Sequence, residues 1–360
     1  MQIKDENILE ILKKIAPGTP IRDGLENILR AKTGALLLIT DNQDVIKEVV
    51  DGGFSINEDY TSSKLYELAK MDGAIVLSGD FKKILFANAQ LIPSSTIPTV
   101  ETGTRHRTAE RTAKQTGELV ISISQRRNII TIFKGNSRYI LEDTDAVLNK
   151  ANQAIQTLER YKKVFDSKLN ILNEYEFNDI VTLDNVITVV QRAEMVMRIV
   201  DEIQTKINEL GEDGRLVNMQ LQELIGGLEK EEQLIIKDYY IVNPRKKNEI
   251  EDVMNKLAEL TSEELMNIHN IAKILKYEFL DSYEDVAVYP KGYRILSKIP
   301  RMPSNIVENL VRAFKSFQHI LAAEISDLDD VEGIGEVRAK NIKQSLQRMQ
   351  EQFVFENINM

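Results

Sequence analysis

Five short apolar runs punctuate the first 135 positions: ALLLIT (35–40), AIVLS (74–78), ILFANAQLI (84–92), ELVISIS (118–124) and IITIF (129–133). Rich in Ile, Leu and Val and bounded by Gly, Asp, Asn and Thr, they predict strands. Helical patterns lie between and before them, at Glu6–Ile15, Pro20–Lys32, Ser62–Met71 and Thr102–Thr116. Strands interleaved with helices at this interval predict an α/β domain.

The pattern then changes. No glycine occurs from Asn136 to Leu210 and no proline between Pro98 and Pro244. Apolar residues recur at helical spacing, as in Val147, Ala151, Ile155 and Leu158. Long amphipathic helices follow, with further helical runs at Val217–Lys237 and Ile250–Leu260 and on to about Leu280. Glycine and proline cluster again near Pro290. The chain is therefore expected to comprise an α/β domain (residues 1–141), an all-α helical spine (142–288) that could hold two ends apart and oligomerise, and a small helical C-terminal domain (289–360).

Composition narrows the function. The 360 residues are 42% hydrophobic and 28% charged, which suits two to three soluble globular domains. No apolar run is long enough to cross a bilayer, and the N-terminus MQIKDENILEILKK is unlike a secretory signal. The expectation is a cytoplasmic protein with no membrane partner. There are no cysteines, so disulfides, thiolate zinc sites and cysteine nucleophiles are excluded. A net charge of -10 opposes nucleic-acid binding on average. Locally the balance differs: residues 291 to 323 hold Lys291, Arg294, Lys298, Arg301, Arg312 and Lys315 against Glu308 alone.

Near the C-terminus, Val331-Glu332-Gly333-Ile334-Gly335 separates a short helical pattern from a second one that starts near Val337. Two glycines permit backbone angles closed to other residues and a close approach of phosphate. Backbone N–H groups then sit at the start of a helix, an anion site, with Arg338 and Lys340 close by. The string resembles the helix-hairpin-helix family. Upstream, SKIPRMPSNIVENLVRAFKSFQHIL looks like a degenerate partner repeat with Ile299-Pro300-Arg301-Met302-Pro303 at the hairpin position. The resemblance implies sequence-nonspecific DNA binding through Gly333, Gly335, Arg338 and Lys340. The bland alternative is a tight turn between packed helices.

Two strings in the first domain carry candidate chemistry. Met71-Asp72-Gly73-Ala74 lies where a helix gives way to a strand, and Thr104-Arg105-His106-Arg107-Thr108 opens a helix after Gly103. Cations at a helix N-terminus oppose the macrodipole, so such a cluster suits a polyanion held between guanidinium forks and exposed N–H groups.

Together with AQLIP (89–93), TGTRHRTAERTA (102–113) and ISQRR (123–127), these strings resemble the diadenylate cyclase family. The order of cyclase domain, spine and helix-hairpin-helix resembles its DNA-scanning branch over essentially the whole chain. The resemblance implies condensation of two ATP into cyclic di-AMP and two pyrophosphates, with Mg2+ or Mn2+, in a homo-oligomer, an octamer in which half-sites meet in pairs. It further implies that Asp72 holds the metal and helps deprotonate the ribose 3'-hydroxyl, and that Gly73 lets the nucleotide lie close. Leu91 would touch the adenine, Thr104, Arg105, His106, Arg107 and Thr108 the triphosphate, and Ser124 a further phosphate. DNA partners would be duplex or branched, such as a Holliday junction.

The rival is a non-enzymatic DNA-repair scaffold whose first domain only oligomerises. It leaves the Arg-His-Arg segment without a use. Conventional ATPase and metalloprotease chemistries lack their signatures, since neither a Gly-Lys dipeptide nor HExxH occurs.

Overall fold

The computed structural model describes residues 6–241, 249–277 and 282–356. The first part runs α1 (Glu6–Lys14), α2 (Pro20–Arg30), β1 (Ala35–Ile39), α3 (Gln43–Val49), β2 (Val50–Asp51), β3 (Phe54–Asp59), α4 (Ser62–Leu68), β4 (Ala74–Leu77), β5 (Lys83–Leu91), α5 (Thr104–Thr116), β6 (Leu119–Ser124), β7 (Ile129–Lys134) and β8 (Ser137–Leu141). The strands form one mixed sheet in the order β2-β5-β4-β1-β6-β7-β8, with β3 also paired to β5. β1 and β4 are parallel, whereas β1–β6, β4–β5, β6–β7 and β7–β8 are antiparallel.

All five β1 residues are buried because both sheet faces are covered. Ala35, Leu37 and Ile39 pack with Leu12, Leu25, Ile28 and Leu65 of α1, α2 and α4. Leu36 and Leu38 point the other way, onto Val45, Ile46 and Val49 of α3 and Ala109 and Ala113 of α5. Fully burying a leucine contributes about 2 kcal/mol, so this central strand fixes the layer order. α2 starts where Thr19 caps it, accepting from Arg22 N at 3.3 Å, with Pro20 in its first turn.

The second part is helical: α6 (Thr144–Asn178), α7 (Leu183–Leu210), a 3-10 turn (Gly211–Gly214), α8 (Arg215–Ile225), α9 (Leu228–Tyr239), α10 (Glu249–Glu259), α11 (Ser262–Met266) and α12 (Ile268–Ile274). The run expected as one helix over Val217–Lys237 is broken at Gly226-Gly227, the latter at φ 80°. The helical expectation near Leu280 lies outside the described residues. The last elements are α13 (Tyr293–Ser297), α14 (Ser304–Phe314), α15 (Phe317–Ala322), α16 (Ile325–Asp329) and α17 (Glu336–Glu356).

Packing divides the chain into two compact units, residues 1–154 with 202–220, and residues 155–201 with 221–360. α6 and α7 contribute to both. In the second unit Leu296, Ile299, Ile306, Leu310, Phe317, Leu328, Ile334 and Ile342 share a core with Phe177 of α6. Beside it Arg294, fully buried, pairs with the equally buried Glu176 and reaches Glu231 at 3.2 Å. Asp238 of α9 accepts from the N–H groups of Gly292, Tyr293 and Arg294 at 2.7–3.0 Å and so caps α13. Burial pushes the Asp238 carboxyl up to about 7, with Glu176 adding to the shift. Among the described residues, no helix is long and apolar enough to cross a membrane.

Candidate functional site

Strand direction gathers the first cluster. β1 and β4 start at the same end of the sheet, and their antiparallel neighbours finish there, with Ala74 opposite Ala89 and Ala35 opposite Ile123. Asp72 and Gly73 before β4, Leu91 at the end of β5 and Ser124 at the end of β6 are thereby brought to one edge of the sheet, with the start of α5.

α5 begins without a side-chain cap. Gly103 takes φ 88°, and the first intrahelical bond runs from Arg107 N to Gly103 O at 3.1 Å. The N–H groups of Thr104, Arg105 and His106 are left without helical acceptors, an arrangement that favours an anion. The approach to this terminus is held by Glu110 of the same helix. Its carboxylate accepts from Thr99 Oγ1, from Val100 N at 3.1 Å and Glu101 N at 3.3 Å, and from Lys114 at 2.7 Å. These bonds keep Glu110 below the usual carboxylate range against the opposing effect of burial. Glu101 is buried as well, against Arg138 and, at 3.6 Å, Arg127.

Arg105 and Asp72 meet at this edge: Nη2 lies 3.6 Å from Oδ1, and the carboxylate is fully exposed. The guanidinium runs past Gly34, where a Cβ would collide with it. Thr104 and Arg107 are exposed, and Thr108 is half-buried.

His106 faces the opposite way. It is 5% exposed, with Nδ1 3.1 Å from Ser122 Oγ and Nε2 3.3 Å from Thr131 Oγ1. Burial lowers its pKa, so the neutral ring is favoured. The structure therefore does not bring its ring out to Arg105 and the Asp72 carboxylate. It ties α5 to β6 and β7.

Gly73 has a reason inside the chain: a Cβ there would fall on the main chain of Asn88 and Ala89, where Asn88 has φ 52° and the β4–β5 register shifts. Leu91 buries its side chain in the α3/α5 core, and its main chain lies opposite Val50 of β2. Ser124 Oγ accepts from Arg127 N at 3.2 Å and shapes the β6–β7 turn.

Sequence reasoning missed Gly34, Glu101, Glu110, Ser122 and Thr131. A helical period was the available signal for the inward histidine, because His106, Ala109 and Ala113 share one face and all are buried.

The second cluster lies apart in sequence. Gly333 takes φ 83°, and a Cβ there would press on Ile306 Cδ1 at 2.7 Å. A Cβ on Gly335 would meet open space. Arg338 Nη1 donates to Gly333 O, and Lys340 pairs with Glu336 at 2.6 Å.

Two clefts lie elsewhere. One of about 560 Å³ is lined in part by Arg22, Glu26, Asp143 and Asp213, the other of about 460 Å³ by Lys237, Tyr293, Arg312 and Lys315. Among the described residues no group of three or more His, Asp or Glu is placed to hold a metal ion. What Asp72 offers is one outward carboxylate, which suits an ion that takes most of its oxygens from phosphate and water.

Comparison with known proteins places these clusters in context. Residues 22–138 match the model of the DisA bacterial checkpoint controller nucleotide-binding family, and residues 141–282 that of the DisA bacterial checkpoint controller linker region. The chain is 55% identical over 355 residues to a DNA integrity scanning protein DisA of Clostridium botulinum (strain Loch Maree / Type A3), covering 99% of each. It is 56% identical over 349 residues to that of Clostridioides difficile (strain 630), covering 97% of each. A crystal structure of DacA from Staphylococcus aureus aligns with 38% of this chain and 91% of that one at 19% identity and a TM-score of 0.29.

Proposed function

The chain belongs to the DisA family of DNA integrity scanning proteins, and from that premise we propose that it is a diadenylate cyclase joined to a DNA-binding domain. The observation that carries the cyclase is the exposed Asp72 carboxylate 3.6 Å from Arg105 at the uncapped start of α5.

Two ATP molecules condense into cyclic di-AMP. Each ribose 3'-oxygen attacks the α-phosphorus of the other nucleotide, the bond from that phosphorus to the bridging oxygen breaks, and two pyrophosphates leave. Arg105, Arg107 and the free N–H groups of Thr104–His106 hold the triphosphate, with Thr104 and Thr108 adding hydroxyls. Asp72 accepts the proton of the attacking hydroxyl or orients it. The same carboxylate would hold a magnesium- or manganese-class ion, which when bound neutralises charge at the reacting phosphate. Gly73 and the Leu91 main chain line the nucleoside side, and Ser124 lies at the phosphate side.

One copy presents one such edge, whereas the product is two-fold symmetric, so two copies facing each other are needed to close the ring. Met71, Ile92 and Val100, each adjacent in sequence to Asp72, Leu91 or Glu101, are exposed apolar residues, which supports a covered face. The helical spine suits assembly of the pairs into an octamer. In this division residues 1–141 are the cyclase, 142–288 the spine and 289–360 a helix-hairpin-helix domain. The latter's Gly333–Gly335 backbone, flanked by Arg338 and Lys340, meets DNA phosphates without sequence preference. Branched DNA, engaging several such domains at once, is expected to lower cyclase turnover more than linear duplex does.

The test is incubation of purified protein with ATP and Mg2+ or Mn2+, with mass identification of the products. Intact DNA binding with no dinucleotide would favour the scaffold alternative.

A further inference from the structure

The C-terminal helices contain an internal repeat. One offset of 32 positions relates Tyr293 to Ile325 at the starts of α13 and α16, Arg301 to Gly333 in the connecting turns, and Ser304 to Glu336 at the starts of α14 and α17. The turns share their bonding: Met302 N donates to Ile299 O and Ile334 N to Val331 O, while Val307 N donates to Pro303 O and Ala339 N to Gly335 O. They share backbone handedness too, with φ 60° at Arg301 and 83° at Gly333. Packing repeats as well, since Leu296 and Leu328, and Leu310 and Ile342, are buried at matching positions.

The repeats differ in charge. In the second, Arg338 is engaged by Gly333 O, Lys340 by Glu336, and Lys343 by the carbonyls of Leu321 and Ala323. Its acids outnumber its bases, eight to four over residues 324–360. Arg348 is exposed but lies twelve residues along α17 from Glu336, about 18 Å. The glycine turn thus has an open backbone and little available positive charge.

In the first repeat Arg294 and Lys298 are committed to Glu231, and Lys291 to the carbonyls of Lys237 and Tyr240. Among the described residues, Arg301, Arg312 and Lys315 have exposed side chains and no hydrogen-bonding or ionic partner. Arg301 occupies a left-handed backbone position that disfavours any side chain, where its counterpart is glycine. Arg312 and Lys315 line the cleft of about 460 Å³, where Lys237 lies 4.0 Å over the Tyr293 ring and Glu308 is the sole acid among the lining residues.

We propose that the two repeats divide the work of DNA binding: the glycine turn supplies backbone N–H groups, and Arg301, Arg312 and Lys315 of the first repeat supply the phosphate-neutralising charge. This rests on the DNA-binding role proposed above. Phosphate neutralisation sets the salt dependence of binding, at about 0.9 in log–log slope per phosphate. Three such contacts correspond to about 100-fold in affinity at 0.15 M salt.

The experiment measures duplex binding by fluorescence anisotropy across salt concentrations, using the full chain. The triple variant Arg301→Gly/Arg312→Ala/Lys315→Ala is expected to lose about 100-fold in affinity at 0.15 M salt and nearly three units of slope. Arg338→Ala/Lys340→Ala, at the flanks of the glycine turn, is expected to lose less than one unit of slope. The single variant Arg301→Gly, which removes the side chain and the backbone conflict together, is expected to lose about one unit of slope with no fall in melting temperature. A salt-dependent wild type whose slope survives the triple substitution, or falls further in Arg338→Ala/Lys340→Ala than in the triple variant, overturns the division of work and leaves DNA binding standing. Failure of the wild type to bind duplex overturns both. If the triple variant loses calorimetric binding of inorganic pyrophosphate but not of DNA, the cleft is a small-anion site and the inference is overturned.

Discussion

Asp72 and Arg105 face each other across 3.6 Å with the carboxylate wholly in solvent. An exposed pair at this distance contributes little to folding. Its juxtaposition at an uncapped helix start is instead suited to chemistry. Asp72→Asn is therefore expected to abolish cyclic di-AMP formation with an unchanged melting temperature and oligomer. Product measurement beside thermal unfolding checks both halves, and full turnover in the folded variant would remove Asp72 from the reaction.

Gly34 gives a test one step further out. The Cβ of Gly34→Ala would displace the flexible Arg105 guanidinium and sit 3.1 Å from the Ile123 carbonyl oxygen, which must give by a few tenths of an ångström. ATP affinity should fall several-fold while DNA affinity stays the same, as read by titration of each ligand. Equal losses for both ligands would point to general damage.

His106 is expected to matter for stability. His106→Ala would leave the Ser122 and Thr131 hydroxyls without their buried partner and open a cavity, costing about 2–4 kcal/mol in denaturant unfolding. The pH dependence follows from burial, which places the folded pKa below the ordinary 6.5. Above 6.5 the contribution is fully present. As pH falls below 6.5 the unfolded chain takes up the proton first, so stability drops toward the folded pKa. Replacement by Gln should flatten that acid limb.

Glu232 of α9 is expected to act with the opposite sign. Its Oε1 is buried without a partner, and burial, aided by the nearby charges of Glu194 and Glu229, pushes the carboxyl up to about 8. The contribution is complete below the ordinary 4.5 and is lost as pH rises through 8. Glu232→Gln should thus stabilise the protein at pH 9 by roughly a few kcal/mol and little at pH 5. Unfolding curves at the two pH values decide it, and an equal effect at both would exclude titration as the cause.

The sequence made the sheet legible where strands are buried on both faces, because β1 then reads as an unbroken apolar run and β6 as one interrupted by serine alone. β3, FSINED, was missed because it is mostly exposed and carries no alternation strong enough to show. α3 is only seven residues long and depends on the Asn42 cap. The break between α6 and α7 has neither glycine nor proline; it turns at Asp179, φ 59°, and is held by Thr182 and Asn185. At the candidate site, residue types singled out Arg105 and Arg107, which lie in the first turn of the uncapped α5. The supports at Glu101, Glu110 and Ser122 are contacts between distant segments, which spacing alone does not reveal.

Mass analysis of the products formed from ATP and Mg2+ or Mn2+ bears most directly on the two-ATP condensation. The expected result is cyclic di-AMP with two pyrophosphates for each molecule formed, absent when Asp72→Asn replaces the wild type. Unconsumed ATP, or ADP and phosphate as the sole products from folded protein, would contradict it.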